Sequence, residues 1–142
     1  MGSIRWGRVF LGGLLAGLVM NIGEAALHSG VLGESARALL EKCGIAAESD
    51  PVRMSVLVLM TFVLGIAAVW LYAAIRPRYG PGPKTALCAG LAVWLFAHLW
   101  SGVYLGIGYG GLFTPKLAWL PVVWGFFEAP IGTLVGAWVY RE

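Results

Sequence analysis

The sequence predicts an all-α integral membrane protein whose four transmembrane helices pack as a bundle. Apolar residues make up 59% of the 142 residues and charged residues only 12%, whereas an ordinary soluble domain carries about 25% charge. The few charges are also confined to short stretches. Between them lie four apolar runs that reach the length of about 20 residues needed to cross the hydrocarbon core.

The positions of the charged residues define the four predicted spans. Between their ends, the second and third runs contain no charged residue, the first is interrupted only by Glu24 and the fourth only by Glu128. Helices are favoured over barrel strands because the runs are long and apolar on all sides, whereas barrel strands alternate apolar with polar residues. We place the helices, in one transmembrane domain covering 1-142, at residues 9-31, 53-75, 85-106 and 117-140.

Lys and Arg are distributed unevenly between the two predicted sides of the membrane. Six of them fall in the N-terminal tail, the loop at 76–84 and the C-terminus, and four fall in the other two loops. Because cytoplasmic loops carry the excess of basic residues, both termini are predicted to be cytoplasmic. The net charge of +3 reflects this anchoring to the lipid bilayer, and no nucleic-acid partner is indicated.

The loops carry local signals of their own. In the first outer loop, apolar residues recur at helical spacing before Gly44, which predicts a short amphipathic helix with a glycine C-cap. Pro77 is expected to end the second helix. The glycine-rich segment 102–116 is expected to be irregular near the interface.

Two pairs of short motifs suggest that the halves of the chain are related. Ala16-Gly17-Leu18 matches Ala89-Gly90-Leu91 with an offset of 73 residues, and Trp70-Leu71-Tyr72 matches Trp138-Val139-Tyr140 with an offset of 68. Two explanations stay open. One is a duplicated helical hairpin with a change in loop length, and the other is chance similarity between sequences of low complexity.

The segment 70–86 reads WLYAAIRPRYGPGPKTA. It resembles a family of uncharacterised small bacterial membrane proteins, which have four helices and the same basic, proline-rich central loop. The resemblance implies a multi-pass protein of the bacterial inner (plasma) membrane. It implies no activity, so no functional residue follows from it.

Polar residues inside the predicted spans are the candidates for function. Counted at 1.5 Å per residue from the basic ends of their helices, Glu24, His98 and Glu128 all lie about 20–24 Å into the membrane. Asn21 and Thr61 fall at a similar depth. These five residues are therefore predicted to form one intramembrane polar cluster.

Glycines share helix faces with the two acids. Gly13 and Gly17 lie on the same stripe of the first helix as Glu24, while Gly125, Gly132 and Gly136 share a face of the fourth helix with Glu128. Small residues let helices approach closely in membranes. Both faces are therefore expected to point toward protein, with Gly13, Gly17, Gly132 and Gly136 as the predicted helix-packing positions.

Several interpretations of the polar residues stay open. Two neutral, hydrogen-bonded acids could simply join the helices, or the cluster could serve proton- or cation-coupled transport. Glu24, His28, His98 and Glu128 have the ligand types of a zinc or iron site, although their spacing departs from the Glu-x-x-His pattern of diiron proteins. Haem between the two histidines is disfavoured because their depths differ by about 9 Å.

Sequence motifs of enzymes are missing. The chain has no Cys-x-x-Cys, Walker or Rossmann motif, and no Ser–His–Asp arrangement is suggested. We therefore predict no catalytic residues, no enzyme activity and no cofactor, with metal or haem as the exception named above. The first expectation is a small accessory or structural subunit of a membrane complex, or a homo-oligomer, whose partners are other membrane subunits or itself. The alternative is a small transporter or a metal- or haem-binding membrane protein.

Overall fold

A computed structural model describes residues 4–46 and 50–140 of the chain. Within these residues the protein is helical without a β-strand, and it contains four helical stretches that are long and apolar enough to cross a membrane. This confirms the predicted all-helical class and the number of spans. We refer to them as the first to fourth spans, and their bounds are Trp6–Lys42, Pro51–Tyr79, Pro83–Gly108 and Pro115–Val139.

The first span extends well beyond its predicted end at residue 31. Helix α1 (Trp6–Leu27) continues through a π-helical segment (His28–Leu32) into α2 (Gly33–Lys42), and no proline interrupts this stretch. The predicted amphipathic helix is thus present, but it is continuous with the first span. It ends where predicted, since Gly44 has a φ of +68° and the Ile45 N–H bonds back to the Leu40 carbonyl at 2.9 Å.

The second span is one helix, α3 (Pro51–Tyr79). Its start is capped by Asp50, whose Oδ1 accepts a hydrogen bond from the Val52 N–H at 2.9 Å. The prediction that Pro77 ends this helix is wrong. Proline removes one backbone donor, and the helix tolerates that loss in its last turn before ending at Gly80, where φ is +84°.

The third span alternates α- and π-helical geometry. It consists of α4 (Pro83–Trp94), a π segment (Leu95–Leu99), α5 (Trp100–Val103) and a second π segment (Tyr104–Gly108). Helical structure therefore covers most of the glycine-rich segment 102–116 that was expected to be irregular. Only residues 109–114 form a turn, and α6 (Pro115–Val139) follows it as the fourth span.

Close contacts between small residues hold the spans together. Helix α1 packs against α3 and α6, and α4 packs against α6 and α3. Gly65 of α3 lies so close to α1 that an added Cβ would come within 2.4 Å of the Gly17 backbone nitrogen. Large apolar side chains mostly cover the outer surface, which suits contact with lipid.

Candidate metal centre

Three helices bring Glu24, His98 and Glu128 together. Glu24 lies in α1, His98 in the first π segment of the third span, and Glu128 in α6. Each offers one ligand atom, and these three atoms all lie within 4.8 Å of one another. The structure thus joins three of the five residues predicted to form the intramembrane polar cluster.

The π segment at Leu95–Leu99 determines which way His98 faces. Buried residues of α4 include Ala86, Gly90 and Val93, and a continuous α-helix would next turn residues 97 and 101 inward. A π turn delays the inward face by one residue because its hydrogen bonds span five residues instead of four. Consequently His98 and buried Gly102 face inward.

Two glycines provide the space that these side chains occupy. A Cβ on Gly125 would lie 2.3 Å from His98 Cδ2, and one on Gly23 would lie 2.8 Å from Glu128 Oε1. Real side chains essentially never make Cβ contacts this short. The imidazole therefore rests on the bare backbone of α6, and the Glu128 carboxyl rests on that of α1.

The Glu24 carboxylate lies against two imidazoles. His28 Nδ1 is 3.1 Å from Glu24 Oε2 and 3.0 Å from the Glu24 carbonyl oxygen. His98 Nε2 approaches the other oxygen, Oε1, at 3.8 Å. Hence His28 restrains the carboxylate from one side, while His98 and the interior lie on the other.

Burial increases from His28 toward Glu128. The His28 side chain is 57% exposed and the Glu24 side chain 30% exposed, whereas Glu128 is only 8% exposed. Both Glu128 oxygens and His98 Nδ1 are buried without a hydrogen-bond partner among the described residues. The Trp124 indole lies near the Glu128 carboxyl without reaching hydrogen-bond geometry.

Asn21 and Thr61 make their hydrogen bonds elsewhere. The Asn21 side-chain amide donates to the Gly17 carbonyl at 2.8 Å and to the Val58 carbonyl at 3.4 Å, which links α1 to α3. The Thr61 hydroxyl donates to the Leu57 carbonyl of its own helix at 3.1 Å. Both residues are thus engaged with backbone oxygens.

The four predicted packing glycines all lie at close contacts between helices. An added Cβ would meet Ile66 from Gly13, Phe62 from Gly17, Met20 from Gly132, and the Gly12 carbonyl from Gly136, at distances between 2.5 and 3.0 Å. In each case the contacted residue belongs to another span of this same chain. These glycine faces are therefore occupied within the described part of the protein.

Two glycines at the key contacts, Gly23 and Gly65, were missing from the predicted packing and cluster positions. Gly125 was predicted on the inward, glycine-rich face of the fourth helix, three residues before Glu128, and it does contact another span there, at His98. Gly65 and Gly23 carry no such sequence signal, because their roles depend on which residue of another helix lies opposite.

The arrangement can hold a cation or exchange a proton. Two carboxylates and an imidazole converge from three helices. A second imidazole, that of His28, contacts the Glu24 carboxylate and is placed to orient it. These contacts do not support haem ligation by His28 and His98. Both imidazoles contact the same carboxylate, that of Glu24, and do not face each other across a space for haem.

Comparison of the chain with protein-family models, with curated proteins and with solved structures finds no match.

Proposed function

We propose that this protein is a non-enzymatic, multi-pass membrane protein that binds a divalent transition-metal ion between its helices. The observation that carries the proposal is the convergence of Glu24, His98 and Glu128, whose ligand atoms lie within 4.8 Å of one another. Three protein ligands are enough to hold zinc when water or another ligand takes the fourth coordination position.

Charge balance supports a divalent ion. A buried polar group without a hydrogen-bond partner costs about 1–3 kcal/mol when it is neutral, and a charged carboxylate costs more. Both oxygens of Glu128 are in that position. A divalent cation between two carboxylates and a neutral imidazole makes the site electrically neutral overall.

The donor atoms narrow the class of metal. Oxygen and imidazole ligands suit Zn²⁺, Fe²⁺ or Mn²⁺, whereas Cu⁺ prefers sulfur. Around an ion with ligand bonds of 2.0–2.2 Å, ligand atoms lie about 3–4 Å apart. A small inward movement of the Glu24 and Glu128 side chains is enough to close the present arrangement around an ion.

Metal analysis and thermal unfolding of the purified protein in mild detergent test this proposal. Zn²⁺ at one hundred times its dissociation constant should stabilise the wild-type protein by about 2.7 kcal/mol. The Glu128→Gln and His98→Phe variants should lose this increment, and Glu34→Gln, on exposed α2, should keep it. Equal metal-dependent stabilisation of wild type and Glu128→Gln would refute the site.

A gradient of side-chain exposure is compatible with exchange of the ion at the protein surface. Exposure falls from His28 through Glu24 to Glu128, which provides a stepwise path from the surface to the buried ligand. We therefore propose metal or proton-coupled cation transport as the second candidate. Proteoliposomes containing a metal-sensitive dye should report uptake that Glu24→Gln abolishes.

The expectation of an accessory subunit or a homo-oligomer stays a prediction. The glycine faces that suggested it contact other spans of this chain, so they do not specify an outside partner. Co-purification in mild detergent tests it, since a subunit brings large membrane partners whereas a carrier brings metal. Bacterial inner-membrane location with cytoplasmic termini is part of the same proposal.

We also propose that the spans form a four-helix bundle derived from a duplicated hairpin. Supporting contacts join neighbouring spans and join the first to the fourth. Gly17 packs on the second span at Phe62 and its counterpart Gly90 packs on the fourth at Pro130. The matching Tyr72 and Tyr140 rings meet edge to face, with centroids 6.0 Å apart.

A further inference from the structure

A second candidate binding site lies at the opposite, basic end of the spans. A pocket of about 540 Å³ opens between the end of α3, the start of α4 and the last turns of α6. It is lined mainly by Tyr72 and Arg76 from α3, the Pro81–Pro83 turn, and Leu134 and Trp138 from α6. Among the described lining residues, Arg76 carries the only charge.

The polar wall of this pocket is held in place by its neighbours. The Arg76 guanidinium carbon lies 5.7 Å from the centre of the Tyr140 ring, a cation–π contact. The Arg5 backbone N–H donates to the Tyr140 hydroxyl at 3.2 Å. The Gly82 N–H donates to the Tyr72 hydroxyl at 3.4 Å, which ties the turn to α3.

The opposite wall is apolar and belongs to the membrane interface. Leu134 lines the pocket about one turn before Trp138, and the Trp138 side chain is 62% exposed. Exposed tryptophans near helix ends occupy the headgroup region of the bilayer. A molecule in this pocket would therefore meet a cation at one end and an acyl-chain environment at the other.

We infer that this pocket binds the headgroup phosphate of an anionic phospholipid, with Arg76 as the phosphate ligand. Basic pockets between transmembrane helices recognise such headgroups, and a guanidinium can hold two phosphate oxygens at once. Arg76 already interacts with its own chain. Its five N–H donors allow it to bind phosphate in addition. Arg78 and Lys84, near the same helix ends, add positive charge.

Lipid-dependent stability in a nonionic detergent tests this inference. Phosphatidylglycerol added to delipidated full-length protein should raise the melting temperature more than phosphatidylcholine does, and native mass spectrometry should show retained phosphatidylglycerol. Arg76→Gln should weaken its binding about tenfold because a charged hydrogen bond is lost. Arg53→Gln, at the exposed far end of the same helix, is the matched control and should bind normally.

Two results would overturn the inference. Equal phosphatidylglycerol binding by wild type and Arg76→Gln would exclude this pocket as the lipid site. An equal melting-temperature increase with inorganic phosphate or glycerol phosphate would assign the pocket to a soluble phosphate instead. If Arg76→Gln fails to fold, Arg76→Lys keeps the charge but not the two-pronged geometry, and it should show reduced retention of phosphatidylglycerol. Unchanged retention by that variant would also count against the inference.

Discussion

Gly23 of α1 and Glu128 of α6 touch across the interface between the first and fourth spans. A Cβ at Gly23 would lie 2.8 Å from Oε1 and 2.9 Å from Cδ of the Glu128 carboxyl. The absence of a side chain at one residue therefore fixes the position of an acid on another helix. This contact makes the candidate metal site sensitive to a single methyl group.

We predict that Gly23→Ala impairs metal binding more than it impairs folding. The added methyl group meets the far end of a flexible side chain, so the carboxyl can move aside at small cost but then leaves the position from which it would bind the ion. The apparent affinity for Zn²⁺ should fall at least about tenfold, which corresponds to about 1.4 kcal/mol of binding free energy. Thermal titration with Zn²⁺ measures it.

Gly7→Ala is the matched control for this prediction. Gly7 belongs to the same helix and has no atom within 4 Å of its added Cβ. Alanine there should leave metal affinity unchanged and should slightly favour the helix. Similar metal titrations for Gly23→Ala and Gly7→Ala would contradict the proposed role of Gly23.

A second prediction concerns the cost of burying Glu128. Because neither oxygen has a hydrogen-bond partner among the described residues, Glu128→Leu should stabilise the metal-free protein relative to Glu128→Gln. The expected difference is about 1–3 kcal/mol, the penalty of a buried polar group without a partner. Thermal unfolding in detergent with a chelator measures the difference, and both variants should lose the response to metal. A less stable leucine variant would mean that the carboxyl is hydrogen-bonded in the membrane.

The third prediction concerns packing between α1 and α3. Gly65→Ala places a Cβ against backbone atoms of Gly13 and Gly17 at 2.4–2.7 Å, and backbone cannot move aside as a side chain can. Overpacking of this kind costs about 1–3 kcal/mol, so the melting temperature should fall. Gly30→Ala, where no atom lies within 4 Å, should show no such loss. If the two variants melt alike, α1 and α3 are further apart than described.

Topology can be read from the two cysteines, both exposed. Cys43 follows α2 at one end of the spans, and Cys88 lies in the second turn of α4 near the other end. With cytoplasmic termini, a membrane-impermeant maleimide should label Cys43 in intact cells. The Cys43→Ser protein, which retains Cys88, should stay unlabelled. Labelling of Cys43 only after permeabilisation would reverse the orientation.

Hydropathy was sufficient to predict the spans because a bilayer demands a minimum length of apolar helix. The helix ends were harder to predict. Pro77 carries a strong local signal against helix, but a single lost hydrogen bond near the end of a 29-residue helix does not stop it. The first span likewise runs to Lys42. A π segment connects α1 to α2, which the hydrophobic pattern of the sequence predicted as two separate helices.

The candidate site was partly predictable for a similar reason. Depth along a helix depends only on residue count, so Glu24, His98 and Glu128 could be placed at one level without any structure. The direction in which the His98 side chain points could not be predicted, because it depends on the π segment at Leu95–Leu99. The contact of Gly23 with Glu128 was also beyond reach, because no single-sequence pattern states which faces of α1 and α6 meet.

The π segment at Leu95–Leu99 also bears on how relatives of this chain would align with it. A π turn behaves as one inserted residue, so a chain without Ala97 could present its histidine inward from an ordinary α-helix. We expect such relatives to show a one-residue gap in the third span and a histidine seven rather than eight residues after the Gly90 position.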